Sequence, residues 1–126
     1  MSEAETTRIE HAGQAGHLSV VTTSTDDGIR VLTLAGEIDH HTGDTLRQAL
    51  DASGTPRPRV VADMRQVTFM DSSGINILIA AHRSLSEAGG WLRLAAAGES
   101  IRRTLGIVGV DAVIDCHETL RHALTN

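Results

Sequence analysis

The stretch Asp71-Ser72-Ser73-Gly74 has the residue types that best fit a chemical role. It follows the apolar segment 67–70 and precedes an apolar run typical of a helix, which places Ser72 at or just before the first helical turn. Backbone N–H groups lack intrahelical partners there, and the helix dipole favours negative charge. Two interpretations remain open at this point. Asp71 or Ser72 caps the helix, or Ser72 accepts a phosphate that adds about −1.5 to −2 charges.

The helix that follows the motif predicts a surface beside Ser72. At about 100° per residue, one stripe faces the sheet and a second stripe begins at Ser72. Ile79 is an aliphatic residue on that otherwise polar second stripe, where it would anchor an interface gated by Ser72. Single exposed apolar residues are also common without any function. The first stripe contains Leu78, Ala81, Leu85 and Ala88, and the second contains Ser72, Asn76, Ile79 and Arg83.

The run Asp39-His40-His41 is a second cluster with chemical potential. Its residue types suit a metal site or the Asp-His-His signature of some phosphoesterases. Adjacent residues on a helix point in different directions, however, and no second Asp/His cluster supplies the missing ligands. We therefore expect no metal here, and interpret Asp39 as a helix N-cap followed by exposed histidines.

Hydrolysis by Ser72 is a third chemistry that the residue types allow. Residues 70–74 read Met-Asp-Ser-Ser-Gly and do not form the Gly-x-Ser-x-Gly nucleophile elbow. No histidine can be assigned as the base from the sequence. A phosphate-binding P-loop is excluded because the chain contains no lysine. Cys116 is expected to be a packed, reduced thiol, since nothing near it in sequence is cationic at neutral pH.

Composition narrows the class of protein further. The 126 residues include 16 acidic and 11 basic side chains, all of the latter arginine, for a net charge of −5. That balance argues against nucleic-acid binding, which needs a basic face. A single cysteine cannot form an internal disulfide, and the longest aliphatic stretch, 77–81, is too short to cross a bilayer. The sequence predicts a soluble, cytoplasmic domain without a membrane association or a signal peptide.

The elements that position these motifs alternate between strand and helix. Residues 1–16 are predicted to be a flexible lead-in, and residues 17–126 a single domain. The turn Asp26-Asp27-Gly28 joins the first two strands into a hairpin. The fold class is α/β, with one mixed sheet that starts with an antiparallel hairpin and about four helices packed on it. Strands are predicted at 17–23, 29–35, 59–64, 91–95 and 112–114, and helices at 40–52, 73–88, 99–105 and 118–124.

Three segments together resemble the STAS domain, and in particular the bacterial anti-sigma factor antagonists. The resemblance covers about residues 18–124, nearly the whole chain. Its most specific part is the Phe-Met-Asp-Ser-Ser-Gly run at the expected distance from Gly-Glu-Ile-Asp-His-His. The segments are Gly36-Glu37-Ile38-Asp39-His40-His41-Thr42, Val61-Ala62-Asp63-Met64 and Phe69-Met70-Asp71-Ser72-Ser73-Gly74.

The resemblance implies a partner-switching mechanism. In that family the unphosphorylated domain binds an anti-sigma factor that is also a serine kinase, so that a sigma factor is released. Phosphorylation of the first Ser of the motif, here Ser72, ends the complex, and a metal-dependent serine phosphatase restores it. No cofactor is implied. The partner-contact residues expected in this chain are Asp39, His40, Asp71, Ser73, Gly74, Asn76, Ile79 and Arg83.

Two alternatives stay open beside that expectation. The chain is a STAS regulatory module of another signalling assembly or of a transporter, or it is a small serine hydrolase that uses Ser72. The net charge of −5 favours a monomer and allows a weak dimer.

Overall fold

Five strands form one mixed sheet in the spatial order β1-β2-β3-β4-β5, which is also their order along the chain. The computed structural model describes residues 17–125, so the predicted lead-in 1–16 lies outside the described residues. Within that range, no helix is long and apolar enough to cross a membrane. The strands are β1 (Leu18–Ser24), β2 (Arg30–Ile38), β3 (Arg59–Met70), β4 (Trp91–Ala95) and β5 (Asp115–His117).

The first two strands form the antiparallel hairpin that the sequence predicts, and all later pairs are parallel. Gly36 near the end of β2 has a φ of +118°, and a Cβ there would overlap the carbonyl oxygen of His17. Only glycine fits this conformation and this approach without strain. The start of β1 and the end of β2 therefore approach closely at the end of the sheet where β2 leads into Asp39.

Three helices connect the parallel strands, and a fourth ends the chain. Because the crossovers are right-handed and the strands follow chain order, the three connecting helices share one face of the sheet. Their apolar side chains, among them Leu46, Leu78 and Leu105, form the main core with that face. The helices are α1 (Gly43–Leu50), α2 (Ser72–Glu87), α3 (Glu99–Ile107) and α4 (Leu120–Thr125).

The opposite face of the sheet is covered only in part. There α4 packs Ala123 into a smaller cluster with Val61 and Ala95 of the sheet. Arg93 stacks its guanidinium 3.7 Å from the ring centroid of Trp91 and donates to the carbonyl of Ala123 at 2.8 Å. The mixed sheet, the starting hairpin and the four helices predicted from the sequence are thus confirmed.

Several predicted boundaries are wrong. The first helix starts at Gly43 with Thr42 at its N-cap position, so Asp39 is not the N-cap and residues 40–42 form a turn. Strand β3 continues to Met70, well beyond the predicted end at residue 64. Its second half was missed because the polar residues Arg65 and Gln66 interrupt the apolar run; both are exposed on a strand that pairs only with β2 there.

The last predicted strand, 112–114, is also wrong. A 3-10 helix at Val110–Ala112 and a turn precede β5, which starts at Asp115. Ile114 of this segment is buried in the main core together with Val110, whereas Val113 between them is half-exposed. Of the stripe predicted to face the sheet, Leu78 and Leu85 are buried, whereas Ala88 follows the end of α2 and is exposed.

Candidate functional site

The ends of β2 and β3 bring two sequence motifs together at one edge of the sheet. Ile38 and Met70, the last residues of these strands, are register partners. Immediately beyond them, the N–H of Asp71 donates to the carbonyl of Ile38 at 3.1 Å. Asp39 and the Asp71-Ser72 loop therefore leave the sheet side by side.

The start of α2 is held by Asp71 and by close packing. The Asp71 side chain is the N-cap, and its Oδ1 accepts from the N–H of Ser73 at 2.9 Å. This bond satisfies one of the N–H groups that a helix start leaves unpaired. Gly74 is buried in the same turn, where a Cβ would overlap Ile38 and lie 2.9 Å from Cγ of Met70. The first turn of α2 thus rests directly on the two strand ends.

The loop before α1 is fixed by a similar set of bonds around Asp39. Oδ1 of Asp39 accepts from the N–H groups of His41 and Thr42 at 2.9 and 3.1 Å. Thr42 is 5% exposed, and its hydroxyl accepts from the N–H of Asp39 and donates to the carbonyl of Glu37, each at 2.9 Å. This reciprocal bonding keeps the half-buried Asp39 carboxylate in place.

Ser72 is the first residue of α2, and its side chain is exposed. Within residues 17–125 its hydroxyl makes no hydrogen bond, whereas the neighbouring Asp71 carboxylate is engaged with Ser73. The Ser72 hydroxyl is therefore presented to solvent on a rigid support, next to one carboxylate and to the free N–H groups of the helix start. A phosphate donor can reach it without any change in the fold.

The other predicted contact residues lie in three different environments. His40, Ser73 and Asn76 line a groove of about 940 Å³ that runs between α1 and α2. Arg83 is exposed one turn beyond Ile79 on α2. Ile79 differs from its predicted environment, because it is only partly exposed and packs against the main core. Ile79 is therefore only partly available to a partner, because part of its side chain contacts the core.

Phe69 is a residue at this edge that sequence reasoning missed. It is 48% exposed, although it is the only phenylalanine in the chain, and it pairs in register with Glu37 two residues before Asp39. The available signal was strand alternation, since Met70 beside it is buried and must point to the other face. The sequence analysis includes Phe69 in the apolar segment 67–70 and assigns no contact role to it.

Cys116 and the pair His40-His41 are the residues considered above for thiol chemistry and for metal binding. Cys116 is exposed rather than packed as predicted, and its Sγ donates to the carbonyl of Ile114 at 3.4 Å. Partial burial of the sulfur raises the pKa of the Cys116 thiol, and the carboxylates of Asp111 and Asp115 raise it further. The rings of His40 and His41 lie 4.0 Å apart. In the described range 17–125, no three His, Cys, Asp or Glu side chains come together as a metal-holding group.

Comparison with known proteins agrees with this architecture. The family model of the STAS domain matches residues 20–123. The chain belongs to the STAS domain family. A relative from Mycobacterium tuberculosis, the anti-sigma-F factor antagonist RsfB, is 31% identical over 83% of this chain and 86% of its own length.

One further relative in sequence and one solved structure are also similar to this chain. An anti-sigma F factor antagonist of Paenibacillus polymyxa is 27% identical over 78% of this chain and 86% of its own length. The crystal structure of an anti-sigma factor antagonist from Mycobacterium paratuberculosis superposes with a TM-score of 0.77 at 32% identity. It covers 86% of this chain and 92% of the other.

Proposed function

We propose that this STAS domain is an anti-sigma factor antagonist that switches partners through Ser72. Its unphosphorylated form binds an anti-sigma factor with serine-kinase activity, which frees a sigma factor. Phosphorylation of Ser72 ends that complex, and a serine phosphatase restores it. The domain acts by binding and contributes no catalytic residue of its own. The antagonist relatives from Mycobacterium and Paenibacillus support the class of protein.

The observation that carries the proposal is the exposed, unbonded hydroxyl of Ser72 at the start of α2. Ser73, one residue later, is only partly exposed and lines the α1–α2 groove, and its backbone N–H is already bonded to Asp71. A kinase must bring its phosphate donor in line with the hydroxyl that it modifies. The more exposed Ser72 is therefore the better acceptor of the two serines. A phosphate on Ser72 would sit at the positive end of the helix dipole, where anions are tolerated.

The proposed partner surface surrounds Ser72 at the end of the sheet. Asp39, His40 and Asp71 supply polar groups there, and Asn76 and Arg83 continue the surface along α2. Gly74 is buried and would act by letting α2 rest on the strands, not by touching the partner. The half-exposed Phe69 adds the large apolar side chain that such an interface needs.

Charge explains why one phosphate would be enough to end binding. Burying an uncompensated charge at an interface costs on the order of several kcal/mol. A micromolar complex has only about 8 kcal/mol of binding free energy, and each 1.4 kcal/mol changes the affinity about tenfold. Asp39 and Asp71 lie beside the site and would repel the phosphate. The modified surface therefore loses its partner while the fold stays as it is.

Substitutions of Ser72 test this proposal in the bacterium that encodes the chain. We expect wild-type protein to show a mass increase of about 80 Da for one phosphate when recovered from cells. S72A should lack that increase and keep the captured anti-sigma factor, and S72D should capture it at least about tenfold more weakly. Intact-mass spectrometry reports the modification, and co-purification with quantified titration reports the binding.

Ser73→Ala is the matched control, since it removes a hydroxyl one residue away from the same loop. S73A should be phosphorylated like the wild type. Two outcomes would show that Ser72 is not the acceptor. One is phosphate at full stoichiometry on S72A, and the other is loss of phosphate in S73A while S72A keeps it. Equal capture of the anti-sigma factor by S72D and S72A would contradict the proposal that a negative charge at residue 72 weakens binding.

A further inference from the structure

The outer edge of β1 is long and lacks the usual protection of an exposed strand. β1 ends the sheet, and among residues 17–125 it pairs only with β2. Its seven residues, Leu-Ser-Val-Val-Thr-Thr-Ser, contain no charge and no proline, and Val21 at the centre is 58% exposed. Natural edges are commonly protected by short strands, charges, proline or bulges, because free N–H and C=O groups otherwise pair with another chain.

The opposite edge of the same sheet has that protection. β5 is only three residues long, starts with the exposed Asp115, and lies next to Asp111 on the preceding 3-10 helix. An incoming strand would therefore find few free backbone groups and two carboxylates. The contrast between the two edges singles out β1 as the one suited to strand pairing.

Hydrogen bonding within the hairpin fixes which groups of β1 point outward. The N–H of Glu37 donates to the carbonyl of His17 at 2.8 Å, so His17 belongs to the residues that bond to β2. In an antiparallel pair, residues that bond to the neighbouring strand alternate with residues that do not, so Ser19, Val21 and Thr23 also bond to β2. The alternate residues direct their N–H and C=O groups away from the sheet. These are Leu18, Val20, Thr22 and Ser24.

A second copy of the chain matches this pattern in one centred register. With a two-fold axis at Val21, Val20 of one copy meets the partner's Thr22, and Leu18 meets the partner's Ser24. Every outward-pointing residue is then paired with another outward-pointing residue, as antiparallel bonding requires. The two Val21 side chains become a close, non-hydrogen-bonded pair on the face of the sheet that α4 leaves open.

Charge also favours a second copy at this edge. The chain has a net charge of −5, so two copies repel each other on average. The β1 edge has no charge along its length, and the centred register carries His17 of each copy towards the exposed Asp26-Asp27 turn of the other. We propose that β1 is a homodimer interface, through which two copies pair antiparallel about Val21 into one ten-stranded sheet. The proposal rests on the sheet edge and is independent of the function proposed for Ser72.

Sedimentation of the full chain over a concentration series tests the dimer. We expect wild-type protein to associate reversibly to a dimer, and V21K to weaken association about tenfold or more, because two like charges would lie directly opposite each other. V113K is the matched control, since Val113 is also a half-exposed valine, 52% against 58%, and lies in the turn before β5, the strand at the opposite edge of the sheet. It should dimerise like the wild type, and both variants should keep the unfolding midpoint of the monomer.

Amide hydrogen exchange gives a readout that is specific to the edge. The N–H groups of Val20 and Thr22 should exchange rapidly in dilute wild-type samples and slowly in concentrated ones, while V21K should exchange rapidly in both. A wild-type protein that stays monomeric throughout the series overturns the proposal. So does protection of Val20 and Thr22 that is independent of concentration, because residues 1–16 of the same chain would then cover the edge. Unchanged dimerisation of V21K overturns the assignment of β1.

Discussion

Gly74 lies where the first turn of α2 touches the ends of β2 and β3. A Cβ at this position would overlap Ile38 and come within 2.9 Å of Met70, and both neighbours are buried. We expect Gly74→Ala to lower the free energy of unfolding by about 1–3 kcal/mol, the usual effect of overpacking a core. Urea unfolding followed by circular dichroism measures the change.

Gly106→Ala is the comparison for this substitution. Gly106 lies in α3, and a Cβ there would meet only the Asp111 carboxylate at 3.5 Å. Replacing a helical glycine by alanine without a clash raises the free energy of unfolding by about 0.5–1 kcal/mol. If the two substitutions changed stability equally, the contact between α2 and the strand ends would not be what requires glycine at residue 74.

Asp39 and Asp71 use their carboxylates in the same way on neighbouring loops. Each offers one side-chain oxygen to backbone N–H groups two or three residues further on in its own loop. The bonds hold the loops, and as a consequence the Asp71 carboxylate is held beside Ser72 and the Asp39 carboxylate at the same edge of the sheet. The same residues therefore have a structural role and an electrostatic one, which residue type and spacing alone do not separate.

At the scale of elements, α4 is joined to the sheet by Arg93 of β4 as well as by apolar packing. Arg93 stacks on Trp91 and donates to the carbonyl of Ala123 in the last helix. Because α4 has only six residues, its own hydrogen bonds cannot keep it helical, and its stability comes from docking. We expect Arg93→Ala to loosen α4 and to shift the emission of Trp91, the only tryptophan of the chain, towards that of a solvated indole.

Arg102→Ala is the control for the loss of an arginine, since Arg102 is an exposed residue of α3. Its Trp91 emission should match the wild type, and limited proteolysis should leave its C-terminus intact. In the Arg93 variant, cleavage after Arg121 should become faster than in the control. Identical emission and cleavage in both variants would show that Arg93 does not hold α4.

The elements that the sequence predicted well are those whose local signals agree with their packing. Strand β4 was placed at its observed bounds, because Trp91 to Ala95 are followed by small residues and preceded by Gly89-Gly90. The errors come from information that is not local. Thr42 replaced Asp39 at the N-cap position because the loop bonds back to Glu37, and Ile114 looks like a strand residue but fills the core from a turn.

The candidate site was predictable to a similar degree. The exposure of Ser72 follows from its place at a helix start, and the proximity of Asp39 follows from adjacent parallel strands. The partial burial of Ile79 and the exposure of Phe69 depend on which parts of the sheet the helices cover. Helical periodicity and strand alternation give the direction of a side chain, but not the presence of a neighbour to cover it.

For the molecule as a whole, the proposed switch should change binding without changing stability. Ser72 is exposed, and within the described residues its hydroxyl makes no hydrogen bond, so a phosphate would displace no existing contact. It would take the net charge from −5 to roughly −6.5 to −7. The helix start favours an anion by about 0.3–1 kcal/mol, and repulsion from Asp71 acts in the opposite direction.

We therefore expect the phosphorylated and unmodified proteins to differ by less than about 1 kcal/mol in free energy of unfolding, since the two electrostatic effects are small and opposed. Urea unfolding of the two forms, separated by ion exchange, measures the difference, and titration with the anti-sigma factor measures the change in binding. A loss of several kcal/mol on phosphorylation would mean that the switch works by disrupting the start of α2. Equal stability with lost binding would leave the charge itself, presented on an unchanged surface, as the signal that the partner detects.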